Sequence, residues 1–237
     1  LEIGVQSTNP ETLKAIHRPT DLKKIGCTTA RINEGKNIHQ HLDLIAGLPF
    51  EDFASFQNSF NQVYAMRPEQ LQLGFLKVLN GSPMEAMANG YGIVSSPNPP
   101  YEVLFTPWLS YKEVLALKGV EEMVEIHYNS RQFVTAMSLL EREFASPYEM
   151  FEALARYYER EGLDRLSHSR MARFEILWNF ISGLGLGAET MEEYRDALMT
   201  DLYLRENAKS RPSFARAPSY ARQQAVRLLN GREENPP

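Results

Sequence analysis

Cysteine is almost absent from this sequence, since Cys27 is the only one among its 237 residues. One thiol cannot form a disulfide within the chain, and it cannot hold an iron–sulfur cluster or another metal site that needs several thiolates. This scarcity is typical of a cytoplasmic protein rather than a secreted one. We expect Cys27 itself to be a small packed residue.

Long apolar runs and an excess of positive charge are also missing. No stretch of the sequence approaches the roughly 20 apolar residues that span a bilayer, and the first residues lack the segments of a signal peptide. The formal net charge is −5. We therefore expect neither nucleic acid nor a membrane as a partner.

The first 85 residues alternate strand-like and helix-like patterns. Residues 1–7 alternate apolar and polar side chains, as strands do, and the phenylalanines that follow residue 52 have helical spacing. In chain order, the predicted elements are strand 1–7, helix 10–17, helix 21–33, strand 38–45, helix 53–64 and strand 71–79. Strands joined by helical crossovers of this kind are parallel. Because three parallel strands would leave both edges exposed, we predict that they are half of a barrel or of a larger sheet, and among these we expect an α/β half-barrel of TIM-barrel-like βα units.

The rest of the chain changes character. Residues 86–109 are rich in proline and are predicted to be a linker or loop, with one short strand at 101–106. Residues 110–230 are predicted to form an α-helical domain of five helices, with a sixth helical pattern at 219–229. Three of these helices begin with capping-box patterns, at Ser110, Ser146 and Thr190. Because this domain has no catalytic constellation, a non-catalytic interaction module is one hypothesis for it.

The sequence begins at Leu1 rather than at a methionine, and it begins inside a predicted strand. We therefore expect it to be truncated and to be the C-terminal part of a longer protein. The missing N-terminal part would then be the first partner of this chain.

Polar side chains are predicted to collect where the parallel strands end. His39, His41 and Asp43 share one face of their strand, and Asp43 lies near its C-terminal end. Gln6 is the last inward polar residue of the first strand, and Arg18 follows the next short helix. Active sites of parallel α/β folds form at this end of the strands, so we expect Gln6, Arg18 and Asp43 to converge. A carboxylate and an amide suit the hydroxyls of a ribose, and an arginine suits a carboxylate.

Four segments resemble, in order and spacing, the second half of the barrel of radical S-adenosylmethionine (radical SAM) enzymes. They are Glu2-Ile-Gly-Val-Gln6-Ser-Thr-Asn, His17-Arg18, Asp43-Leu-Ile-Ala-Gly-Leu-Pro49 and Leu71-Gln-Leu-Gly-Phe-Leu-Lys-Val-Leu-Asn-Gly81-Ser-Pro. The most similar types are the oxygen-independent coproporphyrinogen dehydrogenases and the cobalamin-binding radical SAM enzymes. The resemblance implies that residues 1–85 are the C-terminal half of such a barrel. Residues 110–230, including 204–212, resemble an uncharacterised C-terminal domain of some cobalamin-binding members.

This resemblance implies roles for particular residues. Gln6 and Asp43 would contact the ribose of S-adenosylmethionine, and Arg18 would hold its methionine carboxylate. The backbone from Ile45 to Gly47 would line the adenine pocket. The resemblance assigns no catalytic residue, and it leaves the substrate unknown, whether a small molecule or a macromolecule.

The resemblance also implies cofactors and an activity. The intact protein would be an iron–sulfur oxidoreductase that uses a 4Fe–4S cluster to cleave S-adenosylmethionine to a 5′-deoxyadenosyl radical, and cobalamin is a cofactor of some similar enzymes. The CxxxCxxC motif that holds the cluster in this family is absent here. We therefore expect this chain on its own to be inactive.

A metal-dependent hydrolase of barrel type is the alternative hypothesis. Two histidines and an aspartate on one strand face, His39, His41 and Asp43, can ligate zinc. Such a site needs further ligands from neighbouring strands. The inward positions available there are Glu2, Gly4, Gln72 and Gly74. Because these positions offer few metal ligands, we predict no metal site and expect the histidines to fill the barrel interior.

Overall fold

A computed structural model of the chain describes residues 1–205 and 210–216. They fall into two compact units, Leu1–Ser167 and His168–Pro237. The first unit has mixed α/β structure, and the described part of the second is helical. The domain bounds predicted from the sequence, 1–85, 86–109 and 110–230, differ from these two units and stay a prediction.

Three parallel strands form the main sheet of the first unit. They are β1 (Glu2–Gln6), β2 (His41–Ala46) and β3 (Gln70–Phe75), in the order β1-β2-β3. The predicted parallel arrangement is confirmed. Strand β3 ends earlier than predicted because the backbone after it pairs with another segment: Val103 N bonds to Leu76 O, and Val78 N bonds to Tyr101 O.

The two faces of this sheet differ in polarity. One face is apolar and buried, and its residues are Val5, Leu42, Leu44, Ala46, Leu71 and Leu73. The opposite face is polar, and none of its side chains is fully buried; it carries Glu2, Gly4, Gln6, His41, Asp43 and Gln72. The fold is therefore a mixed α/β arrangement around a three-stranded parallel sheet, and the half-barrel stays a prediction.

Three helices connect and cover these strands. They are α1 (Pro10–Ala15), α2 (Leu22–Gly35) and α3 (Phe53–Ala65). Each begins after a side chain that caps its first turn, namely Asn9, Asp21 and Asp52. The predicted phenylalanine stripe is buried at Phe56 and Phe60. Helix α3 therefore provides the apolar layer next to the sheet.

Residues 86–109, predicted to be a linker or loop, contain more regular structure than expected, and so does the segment just before them. They form helix α4 (Pro83–Tyr91) and the antiparallel pair β4 (Val94–Ser95) and β5 (Val103–Phe105). The prediction of a loop is wrong at 86–91 because Ser82 caps a helix there and Pro83 occupies its first turn, a position that proline tolerates. The predicted short strand at 101–106 is confirmed by β5.

Helices follow in the remainder of the first unit. They are α5 (Tyr111–Val124), a π-helical turn (Glu125–Asn129), α6 (Val134–Leu140), a 3₁₀ turn (Glu141–Glu143) and α7 (Pro147–Arg160). Ser110 and Glu113 form the predicted capping box. Helix α7 packs on α3, where the rings of Tyr148 and Phe151 lie 5.6 and 5.8 Å from that of Phe60.

The second unit contains α8 (Arg170–Ser182) and α9 (Ala188–Arg205). The Trp178 ring stacks on Phe214 at 4.9 Å. The capping box predicted at Thr190 is wrong, since Met191 N already bonds to Gly187 O and Thr190 lies inside the first turn. The sixth helix predicted at 219–229 lies outside the described residues. Within the described ranges, no helix combines the length and the apolar content that crossing a bilayer requires.

Candidate functional site

Gln6 ends β1 with its side chain folded over Gly4. Its backbone has a φ of 70°, in the left-handed region that residues with a Cβ seldom adopt. A Cβ atom placed on Gly4 would clash with Gln6 Nε2 and would lie 3.1 Å from Arg18 Nη2. Two of the predicted site residues, Gln6 and Arg18, therefore share the space in front of Gly4.

Arg18 reaches this space from the segment that follows α1. Its guanidinium donates two hydrogen bonds to the Gly4 carbonyl, from Nε at 3.1 Å and from Nη2 at 2.7 Å. The Leu1 carbonyl bonds to β2, and alternate carbonyls along a strand point to opposite sides. The Gly4 carbonyl, three residues later, therefore points away from β2, and Arg18 binds the open edge of β1.

Asp43 is the neighbour of Gly4 across the β1–β2 pair. Burial raises the pKa of the Asp43 carboxyl, and Glu2 raises it further, whereas His41 and Arg18 lower it. Asp43 Oδ1 is buried and has no hydrogen-bond partner in the part of the chain that the structure describes. The structure thus brings an amide, a guanidinium and a carboxylate together, with one carboxylate oxygen lacking a donor.

A cavity of about 550 Å³ adjoins this cluster. Gln6, Asp43 and Ile45 line it from the sheet, together with Gln72 and Gly74 of β3. Ile45, predicted to lie near the adenine, is therefore a wall residue of the cavity. Its volume is in the range of small-molecule sites in proteins.

Gly47 has a different position from Ile45. Its φ is 88°, and a Cβ placed on it would lie only 2.7 Å from Val103 Cγ1. Glycine at this position therefore allows both a left-handed turn and close packing against β5. Its predicted contact with a cofactor stays a prediction.

The opposite side of the cavity carries charged residues that the sequence analysis did not assign to a site. Lys118 of α5 forms an ion pair with Glu102, and its Nζ lies 4.2 Å from the centre of the Phe75 ring. Glu121, one turn further along α5, also lines the cavity. Burial raises the pKa of Glu121, and the neighbouring carboxylate of Glu125 raises it further. No sequence signal linked these residues to Gln6, because they come from α5 and from the segment before β5.

The histidines of the alternative hypothesis do not form a metal centre here. His39 is exposed ahead of β2, and its ring stands edge-on to that of His41 at 4.7 Å. Among residues 1–205 and 210–216, no group of three His, Cys, Asp or Glu side chains could hold a metal ion. The metal-hydrolase alternative is therefore not favoured.

Cys27 is exposed, so the prediction of a packed residue is wrong. It lies on α2, whose buried side chain is Thr29. The helix therefore turns Cys27 towards solvent. This one thiol could supply only one ligand to a metal site.

A buried carboxyl, Glu51, accepts a hydrogen bond from Ser7, the residue after Gln6, and was not predicted to belong to a site. Glu51 is 1% exposed. Its Oε1 accepts hydrogen bonds from Ser7 Oγ and Ser59 Oγ, both at 2.8 Å. Burial raises the pKa of Glu51 to about 7, although these hydroxyl groups lower it. No local sequence pattern indicated this role, because Glu51 lies in the loop before α3 and its partner Ser7 is 44 residues away along the chain.

The chain has matches among known families and among solved structures. A family described as "Protein of unknown function (DUF4080)" matches residues 89–235, which is more than half of the chain. Coproporphyrinogen III oxidase (HemN) from Escherichia coli, a radical SAM enzyme, is similar in structure with 22% sequence identity and a TM-score of 0.37, which is a weak match. That similarity covers 53% of this chain and 26% of the enzyme, so the chain spans about a quarter of its length. No curated protein matches the sequence.

Proposed function

The chain belongs to the DUF4080 family, and we propose that it forms part of a radical SAM enzyme. One observation carries the proposal: Gln6 and Arg18 meet in front of Gly4, which is the strand neighbour of Asp43. These are the three side chains that the sequence resemblance assigns to S-adenosylmethionine. Their convergence supports a site for a ligand that has both a ribose and a carboxylate.

The chemistry of these groups fits that ligand. Asp43 Oδ1 is a buried acceptor without a donor among the described residues, and a ribose hydroxyl would supply one. The Gln6 amide can donate to or accept from the second hydroxyl. Arg18 uses two of its N–H groups on the Gly4 carbonyl, and a guanidinium has five, so others remain for a carboxylate.

The residues of this chain do not fit an iron–sulfur cluster. Such a cluster needs several thiolates, and Cys27 is the only cysteine in the whole sequence. Bound S-adenosylmethionine would supply the radical chemistry, and the role of this chain is to hold and orient its nucleoside and amino-acid ends. We assign the cluster ligands to an N-terminal part of the protein, outside this sequence. Use of cobalamin stays a prediction from the resemblance.

The polar sheet face supports the presence of such a part. Parallel sheets normally have both faces covered, whereas the face that carries Glu2 and Asp43 is not fully buried. We propose that further βα units lie against this face and pair with the edge of β1 ahead of Gly4, whose carbonyl Arg18 occupies, so that the three strands here become half of a barrel. The hypothesis of an interaction module at 110–230 stays open beside this one.

The test uses the full-length protein. The coding sequence ahead of Leu1 should contain a CxxxCxxC motif, and anaerobic reconstitution with iron and sulfide should give a protein that binds S-adenosylmethionine and releases 5′-deoxyadenosine under reduction. Arg18→Ala and Asp43→Asn should each weaken binding about tenfold. Arg31→Ala, at an exposed position on α2, is the matched control. Absence of the motif, or unchanged affinity in both variants, would refute the proposal.

A further inference from the structure

The backbone of Gln6 is held in an unfavourable conformation. Its positive φ is accompanied by a shift in the β1–β2 register between Gly4 and Gln6. Residues in such conformations persist only where their surroundings fix them. The conformation has a consequence, since it turns the Gln6 side chain back over Gly4. Whatever fixes the backbone at Gln6 therefore also sets the position of its amide.

The two residues after Gln6 are both bound, directly or through one hydroxyl, to Glu51. Ser7 Oγ donates to Glu51 Oε1 at 2.8 Å and accepts from Asn9 N at 2.9 Å. Thr8 N donates to Ser59 Oγ at 3.0 Å, and Ser59 Oγ donates to Glu51 Oε1 at 2.8 Å. One carboxylate oxygen therefore anchors the chain directly after Gln6.

Glu51 belongs to the loop that follows β2, the strand of Asp43. Its bond to Ser7 therefore joins this loop to the loop that follows β1. A second contact joins the same two loops, since Asn9 Nδ2 donates to Phe50 O at 2.9 Å. Ser7, Ser59 and Glu51 have exposures of 0%, 0% and 1%. Because water does not compete at these groups, their hydrogen bonds hold the two loops in one arrangement.

We propose that Glu51 is a positioning residue, which fixes the left-handed backbone of Gln6 and so places its amide beside Asp43. The inference rests on the proposed function for the ligand, S-adenosylmethionine. The geometric part, that Glu51 immobilises residues 6–9, is independent of the ligand.

The carboxylate acts here as an acceptor for two converging hydroxyl donors. Glutamine at position 51 offers one carbonyl oxygen that can accept both, but its NH₂ group would occupy the place of Oε2, which has no partner among the described residues. Alanine offers no acceptor and leaves the hydroxyls of Ser7 and Ser59 unpaired. We therefore expect Glu51→Gln to hold residues 6–9 nearly as well as the wild type does, and Glu51→Ala to release them.

The test measures hydrogen exchange and ligand affinity in the same full-length protein. Glu51→Ala should speed exchange in peptides that cover residues 6–9 by about tenfold or more and weaken S-adenosylmethionine binding by about tenfold, whereas Glu51→Gln should stay close to wild type. Phe56→Leu is the control, because Phe56 is buried in α3 but forms none of these hydrogen bonds. It should lower overall stability without a selective change at 6–9.

The outcomes separate this inference from the proposed function. A folded Glu51→Ala protein with wild-type exchange at 6–9 would overturn the inference, as would faster exchange with unchanged affinity. If the wild-type protein binds no S-adenosylmethionine, the proposed function fails while the exchange data still decide the role of Glu51. Should Glu51→Ala not fold, Ser7→Ala removes one donor and leaves the carboxyl; wild-type exchange and affinity in that variant would also overturn the inference.

Discussion

Gly4 lies beside Asp43 in the parallel sheet, and the missing side chain at Gly4 leaves the space that Gln6 and Arg18 occupy. Gly4 is not among the glycines with positive φ, so its backbone conformation is open to any residue. What this position requires is therefore space for the two side chains. A substitution that fills the space and leaves the backbone conformation unchanged would test whether that space matters for binding.

Gly4→Ala supplies such a test. The added methyl group should displace the end of the Gln6 side chain and weaken S-adenosylmethionine binding by about tenfold. Because the displaced atoms are ends of side chains, the free energy of unfolding should change by less than about 1 kcal/mol. Isothermal titration and urea unfolding measure the two effects. Gly90→Ala in α4, where a Cβ would meet no atom within 4 Å, should leave affinity unchanged.

At Gly47, in contrast to Gly4, a substitution should mainly lower the stability of the fold. Gly47→Ala places a Cβ at a φ of 88° and 2.7 Å from Val103 Cγ1, so we expect a loss of about 2–4 kcal/mol in the free energy of unfolding. Combining it with Val103→Ala removes the clash but not the backbone strain. The double variant should therefore be more stable than the sum of the two single losses predicts, by about 1 kcal/mol in urea unfolding. Additive losses would contradict the assigned clash.

The sequence sufficed to predict the parallel sheet and the grouping of Gln6, Arg18 and Asp43. Strand period and crossover length define parallel strands, and parallel strands end on the same side, so polar residues at their ends must be close together. Helix α4 had a sequence signal that the turn residues Asn80 and Gly81 obscured. Ser82, followed by Pro83 and by Glu85 three residues on, is the capping-box pattern that predicted the helix beginning after Ser146, and Glu85 N donates a hydrogen bond to Ser82 Oγ.

The contribution of Glu51 could not be predicted from the sequence. Its contact with Ser7 joins positions 44 residues apart, and neither residue differs locally from an ordinary loop or helix-start residue. The same is true of Lys118 and Glu121, which reach the cavity only because α5 lies beside β3. Periodicity predicts which face of an element is buried, but it does not predict which loops meet.

Asn129 pairs with the backbone of β3 as a further strand would. Its side chain accepts from Leu71 N and donates to Leu71 O, both at 2.9 Å. Asn129→Ala leaves both backbone groups of a fully buried residue without partners, and should lower the free energy of unfolding by about 2–3 kcal/mol. Asn129→Asp keeps the acceptor for Leu71 N but turns a carboxylate oxygen towards Leu71 O and Glu125 Oε1, to both of which Asn129 Nδ2 donates, so it should lose at least as much. Asn58→Ala, at an exposed position on α3, is the control; equal losses in Asn58→Ala and Asn129→Ala would contradict this role.

Glu51 should make the stability of the fold depend on pH. Burial raises its pKa from 4.5 to about 7, so the folded protein holds this proton more tightly than the unfolded chain does. Its stabilising contribution is then complete below pH 4.5 and is lost as the pH rises through 7. A shift of this size corresponds to about 3 kcal/mol over the whole range.

Urea unfolding between pH 4.5 and 8.5 measures this dependence. Glu51→Gln cannot ionise, so its stability should fall less with rising pH than that of the wild type, and the difference between the two curves should change most near pH 7. The pKa of Asp43 is also raised, and Asp43→Asn therefore shows how much of the slope belongs to that carboxyl. Parallel curves for wild type and Glu51→Gln would mean that Glu51 titrates in the folded protein as it does in the unfolded chain, which its burial behind Ser7 and Ser59 argues against.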